Sequence, residues 1–340
     1  MKRGLISVFA DQFKTIPPVV TADLTGQTVV VTGSNTGLGF QAAKHFARMG
    51  PGKLILAVRS QQKGDAAAER IKSETGFKAV EVWLLDQSKF SSVIAFADRF
   101  QKEDVRLDIL VANAAIIPTQ YKTTEDGWEE SLQVNDLSTS LLCLLLAPRL
   151  VETGKKYGTR PRIAIVSSSV HYWVEFDDSV YDAESSWQVL STEKHFAEVL
   201  KTDQRYPETK LLNIFFAQSL ADLLKDTPVV VDTLNPGYCY SELRTVFSGI
   251  QAVVDWIMER LLAWTTEQGS RQLVYGALGG SDKLDQINGA YLELHQVVEP
   301  SDHVIGYEGK KRRDKLWSDL VRELSKVDGR VAGIVKQYSS

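Results

Sequence analysis

Thr32-Gly33-Ser34-Asn35-Thr36-Gly37-Leu38-Gly39 joins two segments of different periodicity. Residues 27–31 before it form a short β-branched, apolar run, the mark of a buried strand. After it, Leu38, Ala42, Phe46 and Ala47 recur at helical spacing until Gly50-Pro51-Gly52 stops the run. Three glycines between strand and helix permit a tight turn and let the backbone approach a bound group closely. The helix that follows offers free N–H groups and the positive end of its dipole, which suits a pyrophosphate. A plain turn satisfies the same local rules, so the rest of the chain has to decide between them.

Outward from this loop, strand-like and helix-like segments alternate. Apolar runs at residues 54–58, 80–85, 107–112, 163–166 and 229–234 read as strands. Between them lie helices at residues 64–73 and 88–100, the latter with Phe90, Val93, Ile94, Ala97 and Phe100 on one face, and two longer helices at about 125–152 and 206–224. Continuous apolar strands alternating with amphipathic helices predict an α/β fold: a parallel sheet flanked by helices on both faces, doubly wound. No linker or repeat interrupts the pattern, so residues 1–340 are expected to form a single Rossmann-type domain with a core at about 24–294. Two segments break the rhythm, an insertion at 173–204 and a helical stretch at 241–264. Both follow strands, and so fall near the carboxyl edge where such sheets bind ligands. A helical tail covers about 300–340; its Lys310-Lys311-Arg312-Arg313 run begins a helix with Leu316, Leu320 and Leu324 on one face and is expected to be solvated.

Composition narrows the function. The 340 residues are 44% hydrophobic and 24% charged, ordinary for a globular chain. A net charge of −4 and a pI of about 5.8 disfavour a nucleic-acid partner. Cys143 and Cys239 lie in apolar surroundings and read as packed, reduced thiols, pointing to a reducing compartment. The apolar stretches at 5–10 and 141–148 are too short to span a bilayer, so a soluble, cytoplasmic protein without a membrane span is expected. None of the five histidines has the spacing of a metal motif.

The glycine spacing, G-x-x-x-G-x-G, is wider than the commonest dinucleotide fingerprint and resembles that of the short-chain dehydrogenases/reductases. The resemblance implies that Gly33, Ser34, Asn35, Thr36, Gly37, Leu38 and Gly39 cradle the cofactor. NAD sites usually carry an acid at the end of the second strand. Here the residues are Ala57-Val58-Arg59-Ser60. Arg59, helped by Lys63, can instead pair with a 2′-phosphate, so NADP(H) is the expected cofactor; a solvated surface charge is the other reading of Arg59. Asp86 matches the family position that touches adenine, though it equally suits capping of the helix after it. Asn113-Ala114 matches the centre of the family's N-N-A-G turn, with Ala112 and Ala115 replacing its first Asn and its Gly. Pro236 and Gly237 end the sixth strand as in the family, and Ser241 stands where the family often has a threonine near the nicotinamide amide.

Tyr206 and Lys210 lie four apart in Tyr206-Pro207-Glu208-Thr209-Lys210, on one face of a helix. A phenol has an ordinary pKa of about 10. A neighbouring ammonium favours the phenolate and lets Tyr206 act as acid or base near neutrality. The resemblance adds Ser168, chosen over Ser167 and Ser169 by its place in the family pattern, to bond the substrate oxygen. It also adds Asn135, which in the family bends its helix and holds a water connecting the lysine to solvent. Tyr206 and Lys210 would touch the cofactor too. Residues 123–127 and 206–220 most resemble the retinol-dehydrogenase-like branch, its fungal members in particular.

Ser168 and Tyr206 are 38 positions apart, a wide separation for the family. The insertion between them carries Trp173, Phe176, Tyr181, Trp187 and Phe196, and reads either as a lid or wall over the site or as a surface excursion. His171 is placed to line a pocket. With the apolar helix at 250–264, which suits a flap, a subunit interface or a membrane surface, the insertion suggests a lipophilic carbonyl or alcohol substrate. The expected activity is therefore NADPH-dependent interconversion of a carbonyl and an alcohol. A non-catalytic NADP(H) sensor and a dehydratase or epimerase on the same fold are the alternatives. By resemblance, a homodimer through the two long helices is a further expectation.

Overall fold

The computed structural model describes Gly4, residues 10–240 and residues 249–339. Strand β1 (Thr28–Thr32), helix α1 (Gly37–Arg48), β2 (Lys53–Val58), α2 (Gln61–Thr75), β3 (Val80–Leu84), α3 (Phe90–Lys102) and β4 (Ile109–Ala112) follow in strict alternation. Long helix α4 (Glu130–Tyr157) leads to β5 (Arg162–Val166). Three short helices, α5 (Asp178–Asp182), α6 (Ser186–Leu190) and α7 (Glu193–Leu200), precede α8 (Arg205–Leu223) and β6 (Val230–Leu234). The chain ends with α9 (Gly249–Leu262), α10 (Thr266–Leu278), α11 (Leu284–Ile287), β7 (Tyr291–Glu293), β8 (Gln296–Val298), α12 (Gly306–Val327) and α13 (Arg330–Tyr338).

One eight-stranded sheet runs β3-β2-β1-β4-β5-β6-β7-β8, parallel except for β8. Successive strand residues point to opposite faces, and the core divides accordingly. Val30, Leu110 and Ile163 join one cluster with α3, α4, α8, α12 and α13. Val29, Val31, Ile109 and Ala164 join the other with α1, α2 and α10. The strand order reverses between β1 and β4, so the loops after them part and leave a crevice at the carboxyl edge.

Three expectations need correction. The first long helix does not begin near 125. A turn closes there, Gly127 N–H donating to Thr124 O at φ +83°, and the Glu129 carboxylate then caps the helix by accepting from Ser131 and Leu132 N–H. After residue 300 the face of Leu316, Leu320 and Leu324 is buried, but the basic run is only partly solvated: Lys310 and Lys311 are exposed, whereas Arg313 pairs with Asp222 at 2.6 Å. The insertion turns most of its aromatic residues inward. Trp187 donates from Nε1 to Leu316 O at 3.0 Å, and Phe176 and Tyr181 pack around His303. Only its last helix, α7, reaches the start of α8, where His195 bonds Glu208 and Phe196 meets Tyr121 edge-on.

Candidate active site

The loop after β1 is built so that only glycine fits it. Gly33 and Gly37 have φ of +64° and +59°. A Cβ on Gly39 would lie 2.5 Å from Gly33 O and 2.6 Å from Asn113 Nδ2, whereas one on Gly37 meets nothing within 4 Å. The loop is thus closed on its inner side and open on its outer side. Thr32 fastens it: its hydroxyl accepts from the N–H groups of Asn113 and Ala114, both at 2.9 Å. Asn113 returns the link from Nδ2 to Thr32 O. Ser34 is buried and donates its hydroxyl to Val31 O. Asn35, Thr36 and Leu38 are half-buried at the crevice. Helix α1 starts at Thr36 with no side-chain cap bond and no acid in its first turn, so its dipole end is left for an anion. These features fit a dinucleotide pyrophosphate.

Arg59 and Lys63 are exposed just beyond β2, and no described residue pairs with either side chain. Ser60 caps α2 between them. Asp86 accepts from the N–H and hydroxyl of Ser88, in the turn before α3; it does not cap that helix, whose first N–H, that of Phe90, goes to Asp126. Pro236 and Gly237 sit at the end of β6, where Gly237 N–H donates to Asn235 Oδ1. A Cβ on Gly237 would strike the Trp264 ring, which anchors this loop and donates from Nε1 to Gln12 O. Ser241 lies outside the described residues.

The four candidate catalytic residues converge from α4, β5 and α8. Helix α4 widens into a π turn over Gln133–Leu137, centred on Asn135. Such turns recur at functional sites. Asn135 accepts from Ile116 N–H at 2.8 Å and donates from Nδ2 to Ile116 O at 2.9 Å and Thr209 Oγ1 at 3.1 Å. Its side chain therefore clamps the segment after β4 against α8. The serine run sorts by exposure. Ser167 is buried and donates to Lys210 O, Ser169 is buried, and Ser168 is half-exposed at the strand end. His171, expected to line a pocket, is instead fully buried, held between Ser168 O at 2.7 Å and the Ser301 N–H. Its ring props the backbone beneath Ser168.

Tyr206 is half-buried, and Lys210 Nζ lies 5.4 Å from its ring centre. The lysine is buried and donates to Val166 O at 2.8 Å, its one hydrogen bond among the described residues. Two N–H donors remain for a ligand. Burial pulls its pKa down to about 8, opposed by the charge of Asp136. Beside it, Arg205 is buried in ion pairs with Glu129 and Glu208. Sequence reasoning missed Asp136, which is buried with neither carboxylate oxygen hydrogen-bonded. The available signal was an acid inside the apolar run of α4, between Val134 and Leu137.

Comparison with known proteins agrees with this geometry. The short chain dehydrogenase family model matches residues 27–183. The chain is 38% identical over 325 residues to the short chain dehydrogenase/reductase dmxR8 of Cryptosporiopsis sp., covering 94% of this chain and 97% of that one. It is 34% identical over 317 residues to the short-chain dehydrogenase/reductase phmF of Phaeosphaeria nodorum, covering 93% and 91%. A short chain dehydrogenase from Burkholderia cenocepacia solved in complex with NADP shares the fold, with TM-score 0.58 and 20% identity over 80% of this chain and 97% of that one. A glycine loop open to an anion, a Tyr206–Lys210 pair on one helix and relatives matched over nearly their whole length lead to one assignment: the chain belongs to the short-chain dehydrogenase/reductase family of oxidoreductases, which bind NAD(P).

Proposed function

We propose that the protein is an NADP(H)-dependent oxidoreductase that interconverts a carbonyl and an alcohol on a lipophilic small molecule. The observation that carries the reading is buried Lys210, which lies 5.4 Å from the ring of half-buried Tyr206 and bonds Val166 O at the end of β5, two residues before half-exposed Ser168. When bound, the nicotinamide supplies or takes the hydride. Reduction builds negative charge on the carbonyl oxygen. Tyr206 gives its phenolic proton to that oxygen while the Ser168 hydroxyl donates a hydrogen bond to it. The Lys210 ammonium, 5.4 Å from the phenol ring, stabilises the phenolate through its field. Asn135 keeps the wall after β4 in place, and Gly33 to Gly39, Asn113, Ala114, Pro236 and Gly237 shape the cofactor crevice.

Arg59 and Lys63 support the preference for NADP(H), being unpaired cations where a 2′-phosphate would fall. Support for a lipophilic substrate comes from half-buried Ile116, Ile117 and Val170 near Ser168 and Asn135. Trp256, Ile257 and Leu261 add exposed apolar side chains on α9. The test is NADPH consumption across aldehydes and ketones graded by hydrophobicity, for the wild type beside Tyr206→Phe. The wild type should favour the hydrophobic members, and the variant should lose about 10²–10⁴-fold in turnover while still binding NADPH. Undiminished turnover in the variant would refute the assignment of Tyr206.

The same reading extends to assembly. Helices α4 and α8, the expected dimer faces, are packed by α13 and α12 of the same chain. Phe216 of α8 meets Trp317 of α12, and Arg313 reaches Asp222. That packing supports reading any dimer as using another surface than these faces of α4 and α8. Sedimentation should give the mass of one chain, 37.9 kDa, or a dimer that survives substitutions on the outer face of α12.

A further inference from the structure

Asp136 is a buried acid in the π turn that packs against α8, and it is the group that the roles of Tyr206, Ser168 and Asn135 leave unused. It sits in the π turn next to Asn135, 2% exposed, and neither oxygen accepts a hydrogen bond. A buried carboxyl in that condition costs stability, and sequences shed such groups unless something is gained from them. What faces it is charge. The π turn packs against α8, joined to it by the Asn135–Thr209 bond, and the charges acting on Asp136 are those of Lys210, Arg205 and Glu208 on that helix and of Glu129 in the turn before α4. His195 on α7 stands behind Glu208.

These charges are not equivalent. Arg205 is engaged twice, by Glu129 and by Glu208. Lys210 has no ion pair among the described residues, only the Val166 carbonyl, and the charge of Asp136 opposes the effect of its burial. Glu129 and Glu208 are already engaged by Arg205, which leaves Asp136 as the acid of this cluster without an ion pair among the described residues. Burial drives Lys210 toward the neutral amine and Asp136 toward the neutral acid; each opposes that drift in the other. The two form a coupled pair.

We propose that Asp136 is a positioning residue acting through Lys210: it is the buried counter-charge that keeps the lysine protonated, and so sets the pH range in which Tyr206 can give up its proton. This rests on the reading of Tyr206 and Lys210 given above. The sequence has spent a buried, unbonded acid to hold a cation where the phenol needs one. When the phenolate forms, it becomes a second counter-ion to Lys210, and the lysine then faces two anions in place of one.

The experiment compares kcat/KM for carbonyl reduction against pH in the wild type and Asp136→Asn, which keeps shape and removes charge. The alkaline limb should move to lower pH by about 1–3 units in the variant, with KM for NADPH at pH 6 little changed. An unmoved limb overturns the proposal. A second measurement does not depend on turnover. Because the folded-state pKa of Lys210 is depressed, to about 8, the folded chain binds fewer protons than the unfolded one above that pH. Stability from this group therefore rises with pH from about 8 toward the ordinary lysine value of about 10.4. In Asp136→Asn the rise should begin at lower pH. In a Lys210→Met background a buried Asp136 keeps its proton in the folded chain and loses it in the unfolded one above about pH 4, so there the same substitution should only remove a fall in stability with rising pH and should produce no earlier alkaline rise. An equal change in both backgrounds would show that Asp136 titrates by itself, and the proposal would fail. Should Tyr206→Phe retain turnover, the functional reading falls, and the unfolding cycle still decides whether Asp136 governs Lys210.

Discussion

The start of helix α8 and the turn that follows it handle buried charge in opposite ways. At Arg205 every charge is paired: Glu129 accepts from Arg205, from the Ser131 N–H and hydroxyl and from the Leu132 N–H, and Glu208 accepts from Arg205 and His195. At Lys210 the ammonium has one carbonyl, and Asp136 has no hydrogen bond at all. Glu129 and Asp136 belong to the same helix start, and burial alone does not distinguish them. Satisfaction does. A fully paired network fixes where Tyr206 stands, while an unsatisfied pair keeps its response to protons. The first is architecture, and the second is where chemistry can be tuned.

The sharpest way to break that contrast is to unpair the paired end. Arg205→Met leaves Glu129 and Glu208 buried against each other without their cation. Loss of one partner from such a network costs about 3–5 kcal/mol. Urea unfolding should register a drop of that size, and activity per folded molecule should fall as Tyr206 loses its fixed position. A loss under about 1 kcal/mol, on the scale of an exposed ion pair, would mean that the network contributes little to the fold.

The glycine loop was legible in the sequence because its logic is local: three glycines, a strand before and a helix after, all within about a dozen residues. The sheet was legible for the same reason, since each strand is an apolar run between amphipathic helices. Tyr206 and Lys210 were legible through helical spacing. The Arg205 network was not, because Glu129 and Arg205 are 76 positions apart and nothing in either neighbourhood announces the other. The insertion was half legible. Its aromatic content marked it as packed, but the partner that takes Trp187 and Phe176 lies more than a hundred residues later, in α12 and the segment before it. His171 misled for a related reason: a histidine beside a serine run suggests a pocket, while its second partner, Ser301, comes 130 positions on.

A second arginine extends the contrast to the surface. Arg59 is as unpaired as Arg205 is paired, at a position where the chain offers no acid for a ribose hydroxyl. If its charge awaits a 2′-phosphate, Arg59→Ala should weaken NADPH by about 10–100-fold, the worth of a charge-assisted hydrogen bond or two. NADH should change little, because its ribose presents no phosphate. Fluorescence titration of both cofactors reads the difference directly. Equal losses for the two would assign Arg59 to general electrostatic attraction, and equal wild-type affinities would remove the preference itself.

The smallest effect is expected at His195, and it tests whether the paired end has redundancy. His195 Nε2 lies 3.0 and 3.1 Å from the two Glu208 oxygens, but Arg205 also serves that carboxylate. Removing one of two donors leaves no charge stranded, so His195→Gln should cost about 1 kcal/mol, the net worth of one hydrogen bond, and leave kcat unaltered. A loss approaching that of Arg205→Met would put His195 inside the network as an essential cation. It would also tie the insertion, through α7, to the stability of the helix that carries Tyr206. The insertion would then act as a brace for the site, a role that its inward-facing aromatic residues favour.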